Sequence, residues 1–100
     1  MSDAVFEIDG ARFSTLEEFY DEVDRVLIPH AAWGRNLDAL NDILRGGFGT
    51  PEGGFEIRWK HHQLSRKRLG DKSFETIVDI IRIHGPGGME AEDGVTLRLE

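Results

Sequence analysis

The chain has no cysteine, which removes disulfide staples, thiolate nucleophiles and cysteine metal sites together. Such a composition suits a reducing compartment. No apolar stretch approaches the roughly 20 residues that a membrane-crossing helix needs. The opening MSDAVFEIDG has no basic segment followed by an apolar one, so no secretory signal is visible. The expectation is a cytoplasmic protein without membrane contact. Positive charge is also short, with 12 Lys and Arg against 19 Asp and Glu and a net charge of −7. That balance disfavours direct binding to a nucleic-acid backbone. Internal repeats and long linkers are absent too. With 100 residues, 39% of them hydrophobic, the expectation is one domain spanning 1–100 around a modest core.

The charge that is present is unevenly placed. Acidic residues dominate through Asp42, opposed only by Arg12, Arg25 and Arg35. Between 58 and 72 the balance reverses, with Arg58, Lys60, Arg66, Lys67, Arg68 and Lys72 against Asp71. This basic strip is either one pole of a steering surface or simply a solvated helix and connection.

Periodicity supplies the elements. Ala4, Phe6 and Ile8 alternate with Val5, Glu7 and Asp9, a strand over 4–8 that turns at Asp9-Gly10. Ser14 followed by Glu17 fits a capping box. The helix it opens carries Leu16, Phe19, Tyr20, Val23 and Leu27 at helical spacing, and Pro29 ends the run. Asn36 caps a second helix to about Leu44, stopped by Gly46-Gly47. A glycine-rich loop leads to a strand in which Phe55, Ile57 and Trp59 alternate with Glu56, Arg58 and Lys60. A short basic helix over 62–69 ends at Gly70. Ser73 caps a fourth helix reaching about His84, GPGG at 85–88 breaks it, and Val95, Leu97 and Leu99 form a last strand. The order β-α-α-β-α-α-β predicts an α/β fold with a small parallel sheet and about four helices. Alternation in the strands favours helices on one face only.

The densest chemistry lies in WGRNLDALND, from Trp33 to Asp42. Helical spacing sets Asp38 and Asp42 on one face and Leu37, Leu40 and Leu44 on the other. Like charges one turn apart repel, so the pair gives the helix nothing locally. A face kept negative at a cost suits a cationic partner. Asp38 near the helix start also favours the dipole, whereas Asp42 near its end opposes it unless Arg45 compensates.

This run resembles the barstar family of intracellular inhibitors of secreted microbial ribonucleases. The family pattern is an aromatic residue, Gly, any residue, Asn-Leu-Asp-Ala-Leu, one residue, and Asp. The capped first helix, Pro29, the strand FEIRWK, the helix SFETIVDIIR and the apolar final strand extend the likeness over nearly the whole chain. The resemblance implies a three-stranded parallel sheet packed with helices. It implies a non-enzymatic chain, monomeric when free, that plugs a small basic ribonuclease 1:1. By position Asp42 becomes the principal anchor, Asp38 a second carboxylate, Trp33, Asn36 and Asn41 further contacts, and Gly46 a close backbone approach. The chain departs from the best-known family member at Ala32, Asn41, Gly47 and Ile83. An aromatic residue stands there at the first three, and an acidic residue at the fourth.

Other functions leave weaker traces. Asp38 and Asp42 with His61 or His62 make a poor acid–base set, because an exposed helix face lacks an enclosing pocket. Adjacent histidines diverge and no third ligand accompanies them, so neither a metal nor a cofactor is expected. A protein-interaction module with a different partner is the remaining alternative.

Overall fold

The structure is a computed structural model describing residues 4–29, 31–46, 49–51 and 53–100. Strands β1 (Ala4–Asp9), β2 (Phe55–Lys60) and β3 (Val95–Leu99) form one parallel sheet in the order β1-β2-β3. Ala4 stands opposite Phe55 and Asp9 opposite Lys60, while Phe55 pairs with Val95 and Trp59 with Leu99. Helices α1 (Leu16–Val26) and α2 (Leu37–Ile43) connect β1 to β2, and α3 (His62–Leu69) and α4 (Asp71–Ile83) connect β2 to β3. The expected order and the three-stranded parallel α/β architecture are both observed.

Two consecutive crossovers in a sheet of sequential order place their helices on the same face when both have the usual hand. The burial pattern agrees. Ile8, Phe55, Ile57, Trp59 and Val95 are buried on the helix side, whereas Val5, Glu7, Glu56, Arg58 and Arg98 keep contact with solvent. Trp59 is the centre of the core. Its ring stacks on Phe19 at 5.6 Å and meets Phe74 at 5.1 Å and Phe13 at 6.1 Å. Its buried indole N–H donates to Ser65 Oγ at 2.9 Å, so the largest core side chain carries no unpaired polar atom. Gly10 makes this junction possible. A Cβ there would lie 2.3 Å from Ser65 Oγ and 2.5 Å from the His61 carbonyl.

Two helix starts differ from expectation. Thr15, not Ser14, caps α1: its hydroxyl accepts from the Glu18 N–H at 3.1 Å, and Glu18 Oε1 accepts from the Ser14 N–H at 2.7 Å. The sequence STLEE contains two overlapping capping patterns, and the later one leaves Glu17 free to meet Arg35 at 3.5 Å. Ser73 lies inside α4, which begins at Asp71. Gly70, at φ +88°, ends α3 and starts α4 in a single residue, leaving no room for a capped start further on. The helix stop expected at Gly47 lies outside the described residues. Its neighbour Gly46 has φ +88°, the left-handed turn that closes a helix most cheaply with glycine.

Candidate functional site

Asn36 initiates α2. Its Oδ1 accepts from the Ala39 N–H at 2.7 Å while its Nδ2 donates to the Gly34 carbonyl at 3.2 Å. One side chain therefore satisfies an otherwise orphaned helix N–H and ties the helix to the preceding loop. Leu40, Ile43 and Leu44 are buried and Leu37 packs against the core. That orientation leaves Asp38 and Asp42 exposed. The carboxylate of Asp38 makes no hydrogen bond or ion pair among the described residues. The end of α2 is tied by Thr50, whose buried hydroxyl donates to the Ile43 carbonyl at 2.7 Å.

The loop before α2 is anchored to α1. Trp33 meets the Tyr20 ring edge-on at 5.7 Å, and its indole N–H donates to Asp24. Trp33 therefore packs on α1. Arg35 adopts a left-handed backbone, φ +52°, which carries its guanidinium to Asp21 at 2.5 Å, to Asp24 and to Glu17. The bond to Asp21, then the nearby carboxylates, hold this guanidinium even more firmly protonated than usual. These ties engage three acids of α1, while Asp38 and Asp42 stay exposed on α2. The sequence offers a signal for them only in retrospect: Asp21 and Asp24 stand one turn apart on α1.

Beside that face lies a cleft of about 360 Å³ lined by Ala32, Trp33, Gly34, Ala39, Asp42 and Ile43. It brings two of the expected site residues, Trp33 and Asp42, to one depression, with Asn36 capping the adjoining helix start. Its apolar walls and single carboxylate suit a side chain with a flat body and a positive end. Ala32, where the best-known family member has an aromatic residue, helps keep the cleft open.

At the far end of α2, Asp42 Oδ1 accepts from Arg45 Nη1 at 3.1 Å. Arg45 also donates from Nε and Nη2 to the carboxylate of Glu90, at 2.9 and 3.4 Å. The expected compensation by Arg45 is thus present and extends to the loop before β3. Asn41 turns inward instead. Its Oδ1 lies 2.7 Å from Nε2 of His84, whose Nδ1 lies 2.7 Å from Asp93 Oδ2. Ile83, half-buried, accepts from the Glu90 N–H at 2.9 Å through its backbone carbonyl.

His84 escaped the sequence analysis because nothing in GPGG or in the acidic loop announces a partner for it. His84, Glu90 and Asp93 form a group of potential metal ligands, with atoms within 4.8 Å of one another. In the structure these atoms pair with each other, with Asn41 and with Arg45. The adjacent pair His61 and His62 does diverge: His61 Nδ1 faces Asp9 at 2.9 Å, and His62 Nδ1 donates to the Glu100 carbonyl at 2.8 Å. The three arginines of the basic strip find partners within the chain. Arg58 pairs with Glu56, Arg66 with Asp71 and Glu75, and Arg68 donates to the carbonyls of Ala11 and Phe13.

Fold and site together define a small parallel α/β protein that presents a capped acidic helix beside an apolar cleft. Among the described residues no helix is long and apolar enough to cross a membrane. A profile of the family described as Barstar (barnase inhibitor) matches residues 4–99, and the chain belongs to that family, one of inhibitors rather than enzymes. No curated protein matches its sequence.

Proposed function

We propose that this chain is a cytoplasmic inhibitor of a small secreted ribonuclease, binding it 1:1 and covering its active site with α2 and the loop before it. The observation that carries this reading is the exposed Asp42 carboxylate on the rim of the Trp33 cleft, with Asp38 one turn away. A ribonuclease must hold phosphate among cationic side chains, so its inhibitor is best negative at the same place. Asp42 replaces the substrate phosphate there, accepting charge-assisted hydrogen bonds that strengthen as water leaves. Only one of its oxygens pairs with Arg45 among the described residues, so the other remains available. Asp38 adds a second negative group, and Trp33 with Asn36 shapes the surface around an inserted partner side chain. Gly46 allows close backbone approach after the helix. The inward Asn41 supports this face from behind.

A second reading, the same scaffold with a partner that is not a ribonuclease, draws on the lost aromatic anchors at Ala32 and Asn41, since such residues commonly fill interface cores. Immobilised chain exposed to a lysate and to secreted proteins separates the two. Recovery of a small basic nuclease, followed by saturable 1:1 inhibition of its RNA cleavage, supports the inhibitor. Recovery of a cytosolic regulator, with no inhibition of basic ribonucleases, overturns it.

A further inference from the structure

We infer that His84 is a positioning residue for the partner-binding helix: a fully buried imidazole that clamps α2 to the α4–β3 connection through Asn41 and Asp93. The inference deepens the inhibitor reading and rests on α2 being the binding element.

Alone, α2 is a weak element. Its seven residues fall well short of the roughly 12–15 at which an isolated helix becomes marginal. Leu40, Ile43 and Leu44 hold it to the core, but apolar contact is non-directional and resists small rotations poorly. Asn36 ties the start of α2 to the preceding loop and Thr50 bonds the Ile43 carbonyl, but the side-chain ties of α2 to the α4–β3 connection come from two struts. His84, at the end of α4, is 0% exposed, and both of its ring nitrogens sit 2.7 Å from an oxygen, one of Asn41 and one of Asp93. A second strut runs beside it, from Glu90 through Arg45 to Asp42. Asn41 lies in the last turn of α2 and Arg45 just beyond its end, and their partners at 84, 90 and 93 all belong to the α4–β3 connection. Asp42 sits between the two ties. The groups facing the imidazole are Asn41 from α2, Asp93 and Glu90 from the loop, and Arg45 beyond Glu90.

A displacement of α2 that breaks the Asn41 bond leaves a buried imidazole nitrogen without a partner, a far larger penalty than loss of an exposed bond. The backbone that carries Asp42 is therefore held in place before any partner arrives, which lowers the ordering cost of binding. Asn41 thus serves the interface from inside, at the position where the best-known family member has an aromatic residue.

The test uses the complete chain as wild type, His84→Leu, Asn41→Leu, the double variant and the more conservative His84→Gln. Amide hydrogen exchange of α2 is compared with that of β2 in each. Either leucine variant is expected to speed exchange in α2 roughly tenfold or more with β2 little changed. The double variant is expected to lose less than the sum of the singles, because both singles remove the same Asn41–His84 bond, and His84→Gln to recover part of the protection. Equal loss in α2 and β2, which an ordinary core residue would give, overturns the inference, as does unaltered protection of α2. If His84→Leu does not fold, Asn41→Leu decides the question by the same comparison. A second arm measures association and dissociation with barnase as the probe. Where wild type binds, slower association of the leucine variants supports positioning, and unchanged rates despite loosened α2 overturn it. Failure of wild type to bind barnase counts against that enzyme as a target, while the exchange result still decides the clamp.

Discussion

Replacing Asp42 by alanine separates binding from folding. In the free chain the Asp42 side chain is 62% exposed, and its pair with Arg45 at 3.1 Å keeps most of its hydration, so it adds little to stability. The residue also lies near the end of α2, where a carboxylate opposes the helix dipole, and alanine is the better helix former. These effects offset the lost ion pair, and unfolding free energy changes by no more than about 0.5 kcal/mol. Binding behaves differently. Once the carboxylate is desolvated among the cationic groups of a ribonuclease, removing it leaves those groups unpaired, at a cost of about 2–5 kcal/mol. The barnase–barstar pair itself contributes to that range. The expected loss is roughly 30-fold to several-thousand-fold in Kd. Most of it falls in dissociation, because only one unit of a net charge of −7 is removed from the steering field. Urea unfolding of the free protein and surface-plasmon kinetics with the recovered ribonuclease read the two effects separately. A Kd within about threefold of wild type, in a normally folded variant, refutes the anchor role. A large fall in folding stability refutes the separation.

Other perturbations test the frame that presents this residue. Asn36→Ala removes the bond to the Ala39 N–H at 2.7 Å and is expected to cost about 1 kcal/mol of unfolding free energy in urea, with Asn36→Asp close to wild type; an unaltered alanine variant would contradict the cap. Gly10→Ala forces a Cβ to within 2.3 Å of Ser65 Oγ and 2.5 Å of the His61 carbonyl. It should cost about 3 kcal/mol or more, or abolish soluble expression, and a normal thermal midpoint would disprove the close approach. The Asp9 carboxyl is held below its ordinary 3.8, first by the Ala11 N–H and then by His61. A lowered folded pKa contributes stability that is complete above 3.8 and lost as pH falls through the folded value. Asp9→Asn should therefore destabilise at neutral pH, and its gap from wild type should narrow in acid below 3.8; a constant gap in denaturation across that range would rule the mechanism out.

Local signals in the chain were sufficient wherever the structure depends on near neighbours. Alternation over Phe55–Lys60 announces a one-sided strand, because successive side chains point to opposite faces whatever the surroundings. Asn36 announces a helix start through a bond spanning three residues. The spacing of Asp38 and Asp42 against Leu40 and Leu44 separates an outer from an inner face for the same reason. Even here short-range logic could be ambiguous. STLEE satisfies two capping patterns at once, and the folded chain uses the one built on Thr15 and Glu18. Ser73 looks like a cap until Gly70 is seen to end one helix and begin the next.

By itself, then, the sequence determined the order of the elements, the apolar face of each and the acidic character of α2, all properties of residues within a turn or two of each other. Tertiary structure alone decided which charges remain free. Arg35 engages acids on α1, Arg66 and Arg68 find partners within the chain, and Arg45 reaches Glu90 across 45 residues. It also decided that Asn41 faces His84, 43 residues away, rather than solvent. Such pairings depend on where the folded sheet brings distant segments together, and no local pattern of hydrophobic or capping residues encodes that distance.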